Sequence, residues 1–409
     1  MYDCRHSNAS TVQLEDSAAN SASVLKGLQI AGCCVQGVYV HVPFCMHRCH
    51  YCDFYTVAGR DDWRSPYVTR LLGEASQVAA DLPGQVETMF IGGGTPTYLE
   101  PADLKRLVDG LAQHEFLQSG GEWTVEANPE TVTPEVAGIL AEAGVNRVSL
   151  GAQSFRLEAL AVLERWHDPE SVPRAMSYLR QAGIEDLSLD LIFAVPDGGV
   201  AMANWSRDLD DALSLKPTHL SCYGLTYEPG TPLRRRLDQG RIDRVDNDVE
   251  ADLYTATRSH LAQAGLEQYE ISNWSKPGMQ CRHNLGYWRN ANWWPMGPSA
   301  SGHIDGIRWR NRPRLGPYIQ GNGLPAIDTI ECLDADGRAG EALMLGLRCT
   351  RGVPRSLVEW ASAQPARGTK RAAAITLHIE SGLLSWEDDL LVLTGSGMLL
   401  ADGVLGDLL

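Results

Sequence analysis

The sequence contains no apolar run close to the about 20 residues that a helix needs to cross a lipid bilayer. It also lacks, near its amino terminus, a basic segment followed by a long hydrophobic stretch, so no secretion signal is indicated. These two absences argue against an integral membrane segment. We therefore expect a cytoplasmic protein.

Positive charge is scarce in this chain. The 409 residues include 35 Lys and Arg against 51 Asp and Glu, which gives a formal net charge of -16 and a pI of about 5.1. Such a chain has no general attraction to phosphate backbones or anionic lipid, so nucleic acid is not expected as a partner. The composition, 44% hydrophobic and 21% charged, is typical of a globular protein of roughly two to three domains.

The alternation of apolar patterns along the chain indicates the fold class. Residues 1–34 are rich in Ser, Ala and Asn and predict a poorly ordered extension. Residues 35–227 contain six β/α units, which predict an α/β fold whose parallel sheet curls into a full or partial (β/α)6 TIM-type barrel. The predicted strands are Val38–Val42, Val86–Ile91, Trp123–Glu126, Val145–Leu150, Leu187–Phe193 and Thr218–Tyr223, and helical patterns between them include Pro101–Gln113, Thr133–Ala143, Pro169–Ala182 and Ala201–Leu215.

Two further regions follow the predicted barrel. Residues 228–333 are rich in Gly, Pro, Trp and Arg, and we expect them to form an irregular aromatic region packed over the barrel mouth. Residues 334–409 contain helical runs, followed by two short strands at Leu383–Trp386 and Leu390–Leu393. This pattern predicts a small helical, winged-helix-like C-terminal domain.

Three of the ten cysteines, Cys45, Cys49 and Cys52, lie close together directly after the first predicted strand. In a chain without a secretion signal, such a group predicts metal binding and not disulfides. Three thiolates can hold a cuboidal iron–sulfur cluster and leave one iron open to another donor. A structural zinc site, completed by His47 or His50, is the alternative.

The segment from Tyr39 to Phe54, YVHVPFCMHRCHYCDF, resembles the radical S-adenosylmethionine superfamily. The likeness is to the branch that contains oxygen-independent coproporphyrinogen III dehydrogenase and the HemW-type heme chaperones. It implies a [4Fe-4S] cluster whose open iron is chelated by S-adenosylmethionine, and reductive cleavage of that cofactor to a 5'-deoxyadenosyl radical. The cofactor then carries the difficult chemistry, and the protein orients it and excludes solvent.

Glycines and polar residues follow the other predicted strands, at the carboxyl ends where parallel sheets bind ligands. Gly92–Gly94 permit close backbone approach, and Asp190 lies in an apolar strand where an uncompensated carboxylate is costly. For Glu126 and Gln153, at strand ends, the alternative is a capping or solvent-facing role. The resemblance implies that Tyr39, Gly93 and Glu126 contact one S-adenosylmethionine, and that Tyr51, Gly94, Thr95, Gln153, Arg165 and Asp190 lie where a second molecule binds in the related dehydrogenase.

Two features distinguish members of this branch. The dehydrogenases carry a further cysteine two residues beyond the third cluster ligand, where this chain has Phe54. The segment CRHNLGYW, from Cys281 to Trp288, closely resembles the HNxxYW signature of HemW-type chaperones. His283 is therefore a predicted axial ligand of heme iron, with Cys281 as a further candidate donor. The alternative is that His283 and Asn284 satisfy backbone groups in an aromatic core.

One loop departs from the family pattern, which usually runs through a Gly-rich stretch to Gly-Ala-His. Here Pro295 and Ser299 replace glycines and Ser301 replaces the histidine. The resemblance still favours a heme chaperone. Its expected partners are heme-accepting proteins, an electron donor and a second copy of the chain in a homodimer. The alternative function is that of a radical oxidoreductase acting on a porphyrinogen, similar to coproporphyrinogen III dehydrogenase.

Overall fold

The computed structural model describes residues 10–13, 33–82, 84–198 and 200–409. In these ranges the strands are β1 (Ser10–Gln13), β2 (Gly37–Val42), β3 (Val86–Gly93), β4 (Leu117–Ala127), β5 (Arg147–Gln153), β6 (Asp186–Phe193), β7 (His219–Gly224), β8 (Glu267–Glu270), β9 (Asn273–Ser275), β10 (Trp293–Met296), β11 (Ser301–Ile304), β12 (Ile307–Asn311), β13 (Ile327–Cys332), β14 (Val353–Pro354), β15 (Leu384–Glu387) and β16 (Leu390–Leu393).

The α-helices are α1 (Arg64–Asp81), α2 (Pro101–Gln113), α3 (Pro134–Ala143), α4 (Leu157–Leu163), α5 (Ser171–Gln181), α6 (Ala201–Ser214), α7 (Pro232–Asp238), α8 (Asn247–Gln263), α9 (Arg282–Trp288), α10 (Leu315–Gln320), α11 (Ala335–Leu347), α12 (Arg355–Ser362), α13 (Gly368–Glu380), α14 (Gly395–Leu399) and α15 (Ala401–Gly406). In the part of the chain that is described, no helix combines the length and the apolar character that a membrane crossing requires.

Strands β2 to β7 lie side by side in sequence order and are all parallel, with helices α1 to α6 in the connections. One face of each strand carries fully buried aliphatic side chains, such as Val38 and Val40 of β2, which pack on the helices. The other face carries buried polar residues, among them Glu122 of β4 and Arg147 of β5. This arrangement confirms the predicted α/β fold of six β/α units.

Residues 228–333 are more regular than the sequence indicated. Strands β9 and β8 extend the sheet beyond β7, and β10, β11, β12 and β13 extend it beyond β2. The prediction of an irregular region over the barrel mouth is wrong in this respect. Strands of three to six residues that contain Trp, Pro and Gly are too short to show a clear period in the sequence.

The amino-terminal extension also contains one strand. Ser10–Gln13 pairs antiparallel with β13, so the expectation of an unordered segment is wrong for these four residues. The outer edge of β13 offers unpaired backbone groups, which such a segment can satisfy. Most of the remaining residues of the predicted extension lie outside the described ranges.

The C-terminal domain consists of helices α11 to α15 and the antiparallel sheet β14-β16-β15, in agreement with the predicted helical domain and its β-wing. The buried Arg371 guanidinium ties this domain together. It donates to the Asp336 carboxylate at 2.9 Å and to the carbonyl of Leu408 at 2.8 Å. Arg367 contacts the same carboxylate at 3.8 Å but is exposed.

We predict that Arg371→Met lowers the free energy of unfolding of the C-terminal domain by about 3 to 5 kcal/mol, because it removes the buried guanidinium that pairs with the largely buried Asp336 carboxylate. The matched variant Arg367→Met removes an exposed contact to the same carboxylate and should cost less than about 0.5 kcal/mol. Amide hydrogen exchange of α11 and α13 under urea measures both effects. Equal losses in the two variants would contradict this account.

Candidate functional site

A cavity of about 850 Å³ opens at the carboxyl ends of the parallel strands, where the loops that leave β2 to β7 meet. Its size lies in the usual range for small-molecule sites. Of the residues that the sequence analysis assigned to a cluster or to S-adenosylmethionine, all except Tyr39 line this cavity. They are Cys45, Cys49, Tyr51, Cys52, Gly93, Gly94, Thr95, Glu126, Gln153, Arg165 and Asp190.

The cysteine loop is fixed to its neighbours by backbone hydrogen bonds. The amide of His50 donates to the carbonyl of Leu163 at the end of α4, and the carbonyl of His50 accepts from Leu233 in α7. The amide of Thr95 donates to the carbonyl of Phe44 just before the first cysteine, at 2.7 Å. The loop therefore has a defined position between α4, α7 and the glycine-rich turn.

The surroundings of the thiols favour a ligand that carries positive charge. Burial raises the pKa of Cys45 to about 11 and also raises the pKa of Cys52, and the neighbouring thiols oppose a second negative charge. Two hydrogen-bond donors act in the opposite sense, because they stabilise a negatively charged sulfur. Thr95 Oγ1 lies 3.7 Å from the Cys45 sulfur, and Arg165 Nη1 lies 3.5 Å from the Cys49 sulfur. Iron can replace the thiol protons, and these donors then stabilise the thiolates.

The geometry gives no support to the zinc alternative. Among the residues that the structure describes, no group of three or more Cys, His, Asp or Glu side chains converges on a point that could hold a single metal ion. His47, a candidate fourth ligand, forms a hydrogen bond from Nε2 to the carbonyl of Glu164 at 2.6 Å and stacks on Trp166. A cuboidal cluster needs no such convergence, because each thiolate binds a different iron.

The glycine-rich turn after β3 packs directly on the cysteine loop. A Cβ on Gly94 would lie 2.7 Å from the Phe44 carbonyl oxygen, and Gly93 adopts φ +101. Only glycine fits these two positions without displacing the backbone. The amide of Gly93 donates to Glu126 Oε2 at 3.0 Å and so fixes that carboxylate at the cavity wall.

Two carboxylates of the cavity wall repel one another. Burial raises the pKa of Glu126 to about 7, and the charge of Asp190 adds to this shift. Burial also raises the pKa of Asp190, which accepts hydrogen bonds from Ser149 Oγ at 3.1 Å. A carboxylate pair in this state gains from a cationic ligand, because the ligand's charge relieves their mutual repulsion.

Sequence reasoning missed several residues of this cavity, and two of them have polar side chains beside the predicted ligand-binding residues. Ser149 donates to the Asp190 carboxylate and so orients it. Ser149 precedes Gly151 and Gln153 in β5 by two and four residues, and this spacing was the signal in the sequence that could have identified it. His167 is only 4% exposed, and burial together with the nearby Arg165 lowers its pKa to about 4, so the ring is neutral. No spacing rule in the sequence identifies this loop histidine.

Tyr39 and helix α9 lie below the cavity, toward the amino ends of the strands. The Glu122 carboxylate accepts the amides of Arg282 at 2.7 Å and His283 at 2.9 Å, and thus holds the start of α9 inside the barrel. The Cys281 thiol points at the same carboxylate, at 3.5 Å. The HNxxYW segment therefore closes the end of the barrel opposite to the cysteine loop.

The structure does not favour the predicted heme ligands. His283 is buried, with Nδ1 bonded to Thr88 Oγ1 at 2.8 Å and Nε2 bonded to Tyr287 Oη at 2.9 Å. Both ring nitrogens are thus occupied, and the buried Cys281 thiol faces a carboxylate. These contacts agree with the alternative of a satisfied polar core, and the assignment of His283 and Cys281 as iron donors stays a prediction.

The loop that departs from the family pattern belongs to the sheet edge. Pro295 lies in β10 opposite Tyr39, and Ser299 adopts φ +65, a conformation that glycine takes more readily. Ser301 is exposed in β11, and its carbonyl accepts from Trp293 Nε1 at 2.8 Å. None of the three replaced positions lines the carboxyl-end cavity.

Comparison with known proteins agrees with this architecture. Residues 39–199 match the Radical SAM superfamily model, and residues 333–400 match the HemN C-terminal domain. Coproporphyrinogen III oxidase (HemN) from Escherichia coli has a similar fold, with a TM-score of 0.81 at 21% identity over 95% of this chain and 93% of the other.

Curated relatives are similar over nearly the whole length. The heme chaperone HemW of Mycobacterium tuberculosis is 39% identical over 91% of this chain and 94% of its own length. The heme chaperone HemW of Bacillus subtilis is 35% identical over 91% of this chain and 98% of its own length. With this similarity added to the fold and the cysteine loop, the chain belongs to the HemW family within the radical SAM superfamily.

Proposed function

We propose that the chain is a heme chaperone that binds heme and transfers it to acceptor proteins. In this proposal, Cys45, Cys49 and Cys52 coordinate a [4Fe-4S] cluster, and S-adenosylmethionine binds exchangeably at the open iron. The observation that carries the proposal is the set of three thiols, not four, at one end of an open cavity in a chain 39% identical to a protein named as a heme chaperone.

The side chains of the cavity suit these cofactors. Arg165 and Thr95 donate toward two of the sulfurs, and the absence of side chains at Gly93 and Gly94 lets the turn pack directly on the cysteine loop. Glu126 and Asp190 supply negative charge for an ammonium or sulfonium group. When bound, the cluster and its cofactor supply one-electron chemistry, and the chain's own residues position them and exclude water.

The alternative, a radical oxidoreductase acting on a porphyrinogen, is supported by the resemblance of the cysteine segment, by the match to the HemN C-terminal domain and by a likeness of fold. Phe54 stands at the cavity rim, 62% exposed, and its phenyl ring supplies no thiolate there. Heme acceptors, an electron donor and a second copy of the chain stay predictions, as does a cytoplasmic location.

Anaerobic reconstitution with iron and sulfide, followed by heme titration with and without S-adenosylmethionine, tests the proposed function. We expect saturable heme binding and no conversion of coproporphyrinogen III to protoporphyrinogen. The reaction is scored for 5'-deoxyadenosine and for porphyrin products in parallel. Formation of protoporphyrinogen would establish the oxidoreductase instead, and a protein that binds no heme would refute the chaperone.

The affinity for S-adenosylmethionine should rise with pH through about 7. Below the raised pKa of Glu126, about 7, the protonated carboxyl loses its attraction for a cationic ammonium; above it, the carboxylate regains that attraction. Equilibrium dialysis between about pH 6 and pH 8 should show the affinity increasing several-fold.

In Glu126→Gln this increase should disappear, because the amide does not titrate. The control Glu135→Gln, on an exposed position of α3, should keep the wild-type pH profile. An unchanged profile in Glu126→Gln would show that another group controls binding.

A further inference from the structure

The cysteine loop has two sides, and only one of them faces the cavity. Every residue of 45–54 lines the cavity except His50, which follows Cys49 in the sequence. The carbonyl of His50 accepts from the amide of Leu233 in α7 at 2.9 Å, and its amide donates to the carbonyl of Leu163 in α4 at 3.3 Å. Helices α4 and α7 therefore lie on the outer side of the loop.

Two arginines stand on this outer side. Arg235 and Arg236 follow the contact with the loop in α7, and neither has an ion-pair partner among the described residues. Arg235 is exposed, and its Nη1 donates to the Gly230 carbonyl at 3.3 Å, just before the helix begins. Arg236 Nη1 donates to the Val162 carbonyl in α4 at 3.4 Å. Both guanidinium groups are thus held beside the cysteine loop by carbonyls, which carry no net charge.

The pKa of the loop histidine, His50, reflects this charge. Partial burial lowers that pKa, and the charges of the two arginines lower it further, against the opposing charge of Glu164. The acid of α7, Asp238, is paired with Arg234 at 2.8 Å. The outer side of the loop therefore has a local excess of positive charge, in a chain whose formal net charge is -16.

We propose, resting on the proposed function, that the outer face formed by Arg235, Arg236 and His50 is the docking surface of an electron-donor protein. The partner has an acidic surface and carries a one-electron centre, a flavin or an iron–sulfur cluster. In the docked complex one electron passes from this reduced centre to the oxidised [4Fe-4S] cluster. The cluster is reduced by one electron, the donor is oxidised by one electron, and no bond forms or breaks.

The position of the outer face suits such a partner. The cavity side of the loop is the place proposed for S-adenosylmethionine, so a protein docked there would compete with the cofactor. A donor on the outer face approaches the cluster past His50, the sequence neighbour of Cys49, and leaves the cavity free. Electron-transfer partners form small interfaces, and opposite charges accelerate their encounter, so a few arginines without ion-pair partners are sufficient.

Anaerobic stopped-flow reduction of the reconstituted full-length protein tests the assignment. Reduced flavodoxin and reduced ferredoxin, two acidic carriers, serve as donors, and photoreduced deazaflavin serves as a small reductant that needs no docking surface. We expect at least one carrier to reduce the cluster at a rate that falls about tenfold or more between about 50 and 500 mM salt, because ions screen the attraction.

Charge reversal at Arg235 should slow this reaction. In Arg235→Glu we expect the rate with the carrier to fall about fivefold or more at low salt, and the rate with deazaflavin and the binding of S-adenosylmethionine to stay unchanged. The matched control Arg351→Glu, at an exposed position between α11 and β14, alters the net charge equally and should react as the wild type does. The conservative Arg235→Lys should keep most of the rate, because it keeps the charge.

Three outcomes would overturn the docking surface and leave the heme chaperone standing. They are equal rates in Arg235→Glu and Arg351→Glu, a loss in Arg235→Lys as large as in Arg235→Glu, and a wild-type cluster that deazaflavin reduces but neither carrier reduces. A reconstituted protein that holds no iron–sulfur cluster would instead overturn the proposed cluster, and this inference with it.

Discussion

Parallel pairing of six consecutive strands is the constraint on which the rest of this structure depends. Because β2 to β7 all run in the same direction, their carboxyl ends meet at one edge, and the loops that leave them share one cavity. The cysteine loop, the glycine-rich turn and the wall carboxylates are distant in sequence and adjacent in space for this reason alone.

The same parallel strands place polar side chains in the interior of the barrel, and these side chains need hydrogen-bond partners. Thr88, Glu122 and Arg147 are buried on the inner face of the sheet, where unpaired polar groups are costly. Helix α9 supplies partners for two of them, since its amides bind Glu122 and its histidine binds Thr88, while Arg147 donates to Asp186 and to the Met279 carbonyl. The HNxxYW segment therefore has a structural task at the amino end of the barrel. That task explains why His283 is bonded on both nitrogens.

The sequence predicted the barrel and the cavity well, since six alternating apolar patterns and strand-end polar residues carry both signals locally. It did not predict how residues 228–333 extend the sheet, because strands of three or four residues, such as β9 and β10, have no readable period. His283 illustrates a different limit. The motif was recognised, but the partners of its ring nitrogens come from β3 and from α9 itself, and only the folded chain shows that both are occupied.

The most direct test of the central claim is the EPR spectrum of the anaerobically reconstituted, reduced protein before and after addition of S-adenosylmethionine. Our account predicts a [4Fe-4S] signal that changes when the cofactor binds, because one iron has no protein ligand, and its loss in a Cys49→Ala variant. A signal that S-adenosylmethionine leaves unchanged would show that all four irons have other ligands. A reconstituted protein without iron–sulfur signal would contradict the claim altogether.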